Sequence, residues 1–176
     1  EDGIRDVAVT GVQTCALPIF YPNAFISIAE EEDMAVRFTE HILALSLEAL
    51  NRLSSDIGFD GTISVNIPPS ALGDVSLTNR LISTVASKGV LHSRVMVEIT
   101  ETSVPKDIST GMDIEMRLRV HGFQLSIDDF GTGYSSLNYL RNFPFDKIKI
   151  DRCFIEGIEE RGDCQAIVSA MVTLAE

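Results

Sequence analysis

Cysteine is scarce in the 176-residue sequence. The three cysteines, Cys15, Cys153 and Cys164, form no CxxC pair and have no histidine at zinc-site spacing. They therefore predict neither a disulfide framework nor a structural zinc site, and they favour a reducing cytoplasm. Long apolar runs are also lacking, since none approaches the roughly 18 residues of a membrane span, and no basic segment followed by an apolar core opens the chain.

Basic residues are few: 14 Lys and Arg stand against 26 Asp and Glu, which gives a formal net charge of -12. This balance argues against nucleic acid polymers and anionic membranes as partners. If the substrate is an anion, cations must lie between it and the protein, which points to a divalent metal. The alternative is an acidic surface that only keeps the protein in solution.

The composition is that of a soluble globular protein, with 45% hydrophobic and 23% charged residues. From about residue 20, helix-like and strand-like segments alternate, which is typical of a parallel sheet. Gly89 is the predicted stop of one helix. The predicted helices are 35–53, 77–88, 111–120, 135–141 and 164–174, and the predicted strands are 62–67, 95–99, 124–127 and 147–150.

This pattern predicts an α/β fold of about four strand-helix units, roughly half of a TIM-barrel-like (β/α)₈ fold. A complete barrel of this kind takes about 250 residues. The sequence also stops inside an apolar helical run without capping residues, which predicts truncation at Glu176.

Polar side chains mark the end of every predicted strand. Because the carboxyl ends of parallel strands meet at one edge of a sheet, we expect these side chains to cluster. Clustered carboxylates need a cation, and oxygen ligands suit Mg²⁺ or Mn²⁺. Two such ions are a usual device for phosphodiester cleavage. The alternative for each acid is a helix N-cap or a surface group. The residues are Asn66, Glu98, Asp128, Asp129, Lys149 and Asp151.

Five segments in matching order resemble the EAL domain family. Residues 126–137, Ser-Ile-Asp-Asp-Phe-Gly-Thr-Gly-Tyr-Ser-Ser-Leu, are similar to its DDFGxGYSSL loop. Residues 64–67, 97–102 and 148–152 resemble its strand-end motifs. The resemblance covers about residues 20–176. The family's PxxFIPxAE segment is matched by Pro22, Phe25, Ile26, Ala29 and Glu30.

The resemblance implies a modified TIM barrel that hydrolyses cyclic-di-GMP to linear pGpG in bacterial second-messenger signalling. It implies a site with two Mg²⁺ or Mn²⁺ ions, in which Asp128 bridges and Asp129 binds the second ion. Lys149 would contact the catalytic water, and Glu101 would hold the loop after DDFG. The implied metal ligands are Asn66, Glu98, Asp128 and Asp129.

The resemblance also bears on partners. It implies a homodimer of the complete domain and, in the parent protein, sensory or GGDEF domains. By this interpretation the domain works in the cytoplasm, and regions outside this sequence could anchor the parent to a membrane.

The sequence departs from the family at both ends. The Glu-Ala-Leu that names the family is expected near residues 7–9 and is not there. Glu48-Ala-Leu50 lies inside the predicted helix 35–53, and we interpret Glu48 as a solvated position beside core residues. Residues 1–19 fit no family pattern and resemble a translated adapter sequence, so they are interpreted as artefactual. The AEGVE segment, with a metal-binding Glu, is also missing. We therefore expect the isolated chain to be inactive.

Three hypotheses remain for the function. The first is a fragment of an active phosphodiesterase, since the motifs expected in this stretch are intact. The second is an EAL-like receptor or regulatory module that binds cyclic-di-GMP without cleaving it, although degenerate members usually lose DDFG or the metal carboxylates. The third is a half-barrel without stable function, whose exposed strand edges and apolar faces favour self-association.

Overall fold

The computed structural model describes residues 26, 28, 29, 34–72, 74–101, 108–132 and 145–175. The chain forms two units, 1–34 and 35–176, and the elements below all lie in the second. The predicted helix 135–141 falls outside the described residues. The helices are α1 (Ala35–Ile57), α2 (Val75–Ser87), α3 (Ile108–Val120), α4 (Arg152–Ile155) and α5 (Gly162–Ala175), and the strands are β1 (Ile63–Ile67), β2 (Val95–Thr100), β3 (Gln124–Phe130) and β4 (Lys147–Ile150).

All four predicted strands are present, and so is each predicted helix that falls on described residues. Gly89 follows α2 with a φ of +67°, which confirms it as the predicted stop. Asp74 caps the other end of that helix by accepting a hydrogen bond from the Ser76 amide at 2.7 Å. Within the described residues, no helix combines the length and apolar character needed to cross a membrane.

The strands form one parallel sheet in the order β1-β2-β3-β4, as predicted. Asn66 of β1 lies opposite Glu98 of β2, and Glu98 lies opposite Ser126 of β3. Residues opposite each other in a parallel sheet project from the same face. Polar positions of three neighbouring strands therefore share one face.

The other face of the sheet carries the main hydrophobic core. Val65, Val97 and Leu125 are buried there, between the sheet and helices α1, α2 and α3. Strands that are covered by apolar groups on both faces have continuous apolar sequences. In these strands, apolar side chains toward the core alternate with side chains on the other face, several of which are polar. The alternation leaves the polar face available for a site. The helices contribute Leu43, Leu47, Leu50, Leu77, Leu81, Val85, Ile114 and Leu118 to this core.

A second, smaller apolar cluster joins α4 and α5 to the ends of β3 and β4. Its buried members are Ile127, Phe130 and Met171. The four-residue helix α4 was not predicted, because one helical turn is too short to show a hydrophobic period. Phe145, Ile148, Ile150 and Phe154 pack around the buried members.

Candidate active site

Lys149 joins side chains from three strands. Its Nζ donates a hydrogen bond to Glu98 Oε2 at 2.8 Å and another to Asp128 Oδ2 at 2.7 Å. Glu98 lies on β2, Asp128 on β3 and Lys149 on β4, each in the carboxyl half of its strand. The structure thus brings three of the predicted site residues into direct contact.

The contact balances a buried negative charge. The Glu98 side chain is 5% exposed, and a carboxylate so far from water needs a cationic or hydrogen-bonding partner. Partial burial acts to lower the pKa of Lys149. The hydrogen bonds and charges of Asp128 and Glu98 outweigh it, so the pKa of the ammonium is raised above its ordinary value.

A β-bulge shapes the end of β3. Ile127 pairs with Ile148 and Phe130 pairs with Ile150, so the two residues Asp128 and Asp129 lie against one residue of β4. Asp129 has a φ of +53°, a left-handed conformation that Asp tolerates better than most residues. The bulge interrupts the rule that successive side chains of a strand point to opposite faces.

Asp129 lies in a strongly acidic environment. Partial burial raises the pKa of Asp129, and the negative charges of Asp128 and Asp151 raise it further, against the opposing effect of Lys149. Asp151 also accepts a hydrogen bond from the Cys153 amide at 2.7 Å and caps α4. For Asp151, the alternative of a helix N-cap is therefore confirmed.

Glu101 contacts the loop that follows the acidic pair. It lies one residue beyond β2, is buried, and accepts a hydrogen bond from the Gly131 amide at Oε2, at 2.6 Å. Gly131 is two residues after Asp129. This contact is what a residue that holds the DDFG loop would make. The rest of the predicted loop, 133–137, lies outside the described residues.

Asn66 is the remaining predicted ligand. It is exposed and lies opposite Glu98 in the register of β1 and β2. Its side chain therefore leaves the same face of the sheet as the Glu98 carboxylate.

The donor set fits part of a divalent cation site. The carboxylates of Glu98 and Asp128 converge on a single cationic group, and carboxylate and amide oxygens are the ligands that Mg²⁺ and Mn²⁺ prefer. Within the described ranges, no three His, Cys, Asp or Glu side chains converge closely enough to hold a metal ion by themselves. Glu98 and Asp128 would therefore supply two donors to such a site, and Asn66 would add an amide oxygen.

Ser126 belongs to this face and was missed by sequence reasoning. It lies between Glu98 and Lys147 in register, it is fully buried, and its Oγ has no hydrogen-bond partner among the residues that the structure describes. Ser126 precedes Asp128 by two residues on β3, and residues two apart in a strand point to the same face. This spacing is the sequence signal that would have placed Ser126 beside the site.

Glu48, the glutamate of the only Glu-Ala-Leu in the sequence, lies on the outside of α1. Its side chain is 56% exposed and accepts a hydrogen bond from Lys88 Nζ at 2.7 Å. This confirms the interpretation of Glu48 as a solvated position.

Comparison with known proteins identifies the family. The family profile described as EAL domain matches residues 9–176. The match begins before residue 20, and the boundary between a foreign segment 1–19 and the domain stays a prediction. The cyclic di-GMP phosphodiesterase RocR of Pseudomonas aeruginosa is 31% identical over 160 residues, which cover 91% of this chain and 41% of RocR.

Solved structures agree with this assignment. The PaMucR phosphodiesterase in its c-di-GMP complex is 32% identical with a TM-score of 0.80, covering 88% of this chain and 67% of that one. BlrP1 of Klebsiella pneumoniae, in a manganese/cy-diGMP complex, is 31% identical with a TM-score of 0.68, covering 81% of this chain and 36% of that one. These likenesses confirm the predicted TIM-barrel-like α/β fold.

The curated relatives are much longer than this chain. It spans between 18% and 41% of the length of the first four. The profile match nevertheless covers nearly all of the sequence. The chain belongs to the EAL domain family.

Proposed function

We propose that this chain is part of a metal-dependent phosphodiesterase that hydrolyses cyclic-di-GMP to linear pGpG. The observation that carries the proposal is the convergence of Glu98 and Asp128 on Lys149, from three neighbouring strands. Membership of the EAL domain family supports it, as do the relatives named as cyclic di-GMP phosphodiesterases.

Four residues would hold the divalent cations. Asn66, Glu98 and Asp128 would bind one Mg²⁺ or Mn²⁺, with Asp128 bridging to a second that Asp129 also binds. Such ions, when bound, activate water and stabilise the leaving oxygen of a phosphodiester. BlrP1 is described in complexes with calcium and with manganese, which supports a divalent cation site and includes one of the two proposed ions.

The chain's own side chains would position the reacting groups. Lys149, fixed by two hydrogen bonds, would contact the attacking water and offset negative charge on the phosphate. Glu101 would keep the turn after Asp129 in place through the Gly131 amide. Asp129, the second residue of the bulge, would help to orient the attacking water.

Electrostatics favour a cation-dependent mechanism. Cyclic-di-GMP carries two phosphodiester charges, and the protein has a formal net charge of -12. A dianion approaching this protein meets repulsion unless cations lie between them. A site with acidic ligands and bound divalent ions resolves that conflict.

We further propose that the chain alone does not turn over substrate. The sequence contains neither a Glu-Ala-Leu before the PxxFI-like segment nor an AEGVE segment, and both carry metal-binding glutamates in the family. The complete domain would act in the cytoplasm as a homodimer, joined to sensory or GGDEF domains in its parent protein. The greater length of the relatives is consistent with such additional domains.

The test measures Mn²⁺ binding and hydrolysis separately. Calorimetric titration of the chain with Mn²⁺ should show binding that Asp128→Asn abolishes. The matched control is Asp60→Asn, an exposed aspartate between α1 and β1, which should leave binding unchanged. Absence of Mn²⁺ binding both in the unsubstituted chain and in a version extended by family-type first and last strands would contradict the metal assignment.

Hydrolysis is then followed by chromatography of cyclic-di-GMP and pGpG. The chain is compared with a version extended by family-type first and last strands. Turnover by the extended version, lost in Asp128→Asn, supports the phosphodiesterase. Tight binding of cyclic-di-GMP without turnover in the extended version would support the receptor hypothesis.

A further inference from the structure

Gly131 is enclosed by side chains from two helices. A Cβ placed on Gly131 would lie 2.4 Å from Met171 Cε and 2.7 Å from Phe154 Cε2. At such distances the neighbouring side chains would have to move, so they occupy the space that any other residue at position 131 would need. Phe154 lies on α4 and Met171 on α5.

The backbone around Gly131 is in an unusual conformation. Asp129 has a φ of +53° and Gly131 a φ of +103°, so two residues within three adopt the left-handed region. Such conformations persist where surrounding contacts hold them. Local sequence preference alone does not keep an aspartate there.

Two kinds of contact hold this turn. The first is polar: Glu101 Oε2 accepts the hydrogen bond from the Gly131 amide at 2.6 Å. The second is apolar: Phe154 and Met171, from the smaller apolar cluster, fill the space where a Cβ on Gly131 would lie. The polar contact fixes the direction of the amide, and the apolar contact limits how far the backbone can move toward α4 and α5.

We propose that Phe154 and Met171 are positioning residues for the acidic turn 128–131. Through Gly131 they fix the left-handed backbone of Asp129, and with it the placement of both carboxylates relative to Lys149. The catalytic consequence rests on the proposed function, whereas the positioning of the turn is a structural statement that can be tested without it.

The first test measures hydrogen exchange of the Gly131 amide in the full chain by NMR. Met171→Ala should speed this exchange by about tenfold or more, because the turn can then open without global unfolding. The β3 amides of Leu125 and Ile127 should keep their rates. Met171→Leu, which keeps most of the volume, should restore much of the protection of Gly131.

Val172→Ala is the matched control, since Val172 lies on the same helix and is 50% exposed. It should leave Gly131 exchange unchanged. Phe154→Leu serves as the second variant if Met171→Ala does not fold, and it should accelerate Gly131 selectively. Unchanged Gly131 exchange in the folded variants, or equal acceleration of all β3 amides, would overturn the proposal, because a merely structural packing role produces the second pattern.

The second test links the turn to the site through Mn²⁺ affinity measured by titration. Met171→Ala should weaken binding by about tenfold, which equals 1.4 kcal/mol, and Met171→Leu should recover it. A selective change in Gly131 exchange, with no Mn²⁺ binding either in the chain or in the version extended by family-type strands, would leave the positioning intact and refute the proposed function. Strong Mn²⁺ binding with the same affinity in the unsubstituted chain, Met171→Ala and Met171→Leu would overturn the claim that the turn controls the placement of the carboxylates.

Discussion

The ammonium of Lys149 donates to the carboxylate of Glu98 at 2.8 Å, although the two residues are 51 positions apart in the chain. They lie on β4 and β2, which are not neighbours in the sheet, because β3 runs between them. Lys149 reaches across β3 and contacts Asp128 on the way. One side chain therefore ties three strands together on the polar face.

Replacing Lys149 by Met should destabilise the chain. The substitution leaves the buried Glu98 carboxylate without the ammonium, at a cost of about 2 kcal/mol, less than for a fully buried pair because Lys149 is 35% exposed. Urea unfolding measures the change. Lys88→Met, which breaks the exposed pair with Glu48, is the control and should cost much less, because exposed ion pairs contribute little.

The same pair predicts a pH dependence. The folded-state pKa of Lys149 is raised, so its contribution to stability is fully present below the ordinary lysine value of 10.5 and is lost as the pH rises through the folded pKa. The stability difference between the chain and Lys149→Met should therefore be constant near pH 8 and shrink above pH 10.5. A difference that grows with alkaline pH would contradict this assignment.

Asp129→Asn should stabilise the chain at neutral pH while it weakens Mn²⁺ binding. Because the folded-state pKa of Asp129 is raised, its contribution to stability is present below the ordinary value of 3.8 and is lost as the pH rises through the folded pKa. Asn removes that charge and tolerates a φ of +53°. Urea midpoints at pH 7 and pH 4 should show a gain that shrinks at the lower pH. A gain as large at pH 4, or one shared by Asp60→Asn, would refute the explanation.

Glu101→Ala and Glu101→Gln should differ. Ala removes the acceptor of the Gly131 amide and should cost about 2 kcal/mol, the typical value for a hydrogen bond to a charged group. Gln keeps an acceptor oxygen and should cost less. Thermal unfolding gives the stabilities, and faster Gly131 exchange in Glu101→Ala alone would locate the effect. Equal losses in both variants would show that the negative charge is what matters.

Ser126→Ala should stabilise the chain. Within the described part of the chain the buried hydroxyl has no hydrogen-bond partner, and its removal should increase the stability by about 1 kcal/mol. Thr78 on α2 carries a second buried hydroxyl for which the described ranges hold no partner, and Thr78→Val should give a similar gain away from the site. If only Thr78→Val stabilises, Ser126 has a partner in solution, such as a buried water.

Much of the fold could be predicted because its signals are local. The strand 147–150 has the predicted bounds, and Gly89 ends α2 as its left-handed preference requires. The site was harder to predict from the sequence. Glu98, Asp128 and Lys149 could be proposed from their strand ends. Ser126 was missed because it lies inside its strand, and only its two-residue spacing from Asp128 indicates that it shares their face.

The sequence by itself determined the alternation of helices and strands, the α/β class and the family, because periodicity, turn residues and motif order are written along the chain. Only the tertiary structure decided that Lys149 bridges Glu98 and Asp128, and that Phe154 and Met171 enclose Gly131. The physical reason is that these contacts join residues 21 to 51 positions apart in the case of Lys149. Their distances depend on sheet register and on the bulge at Asp128 and Asp129, which arise only when the strands pair.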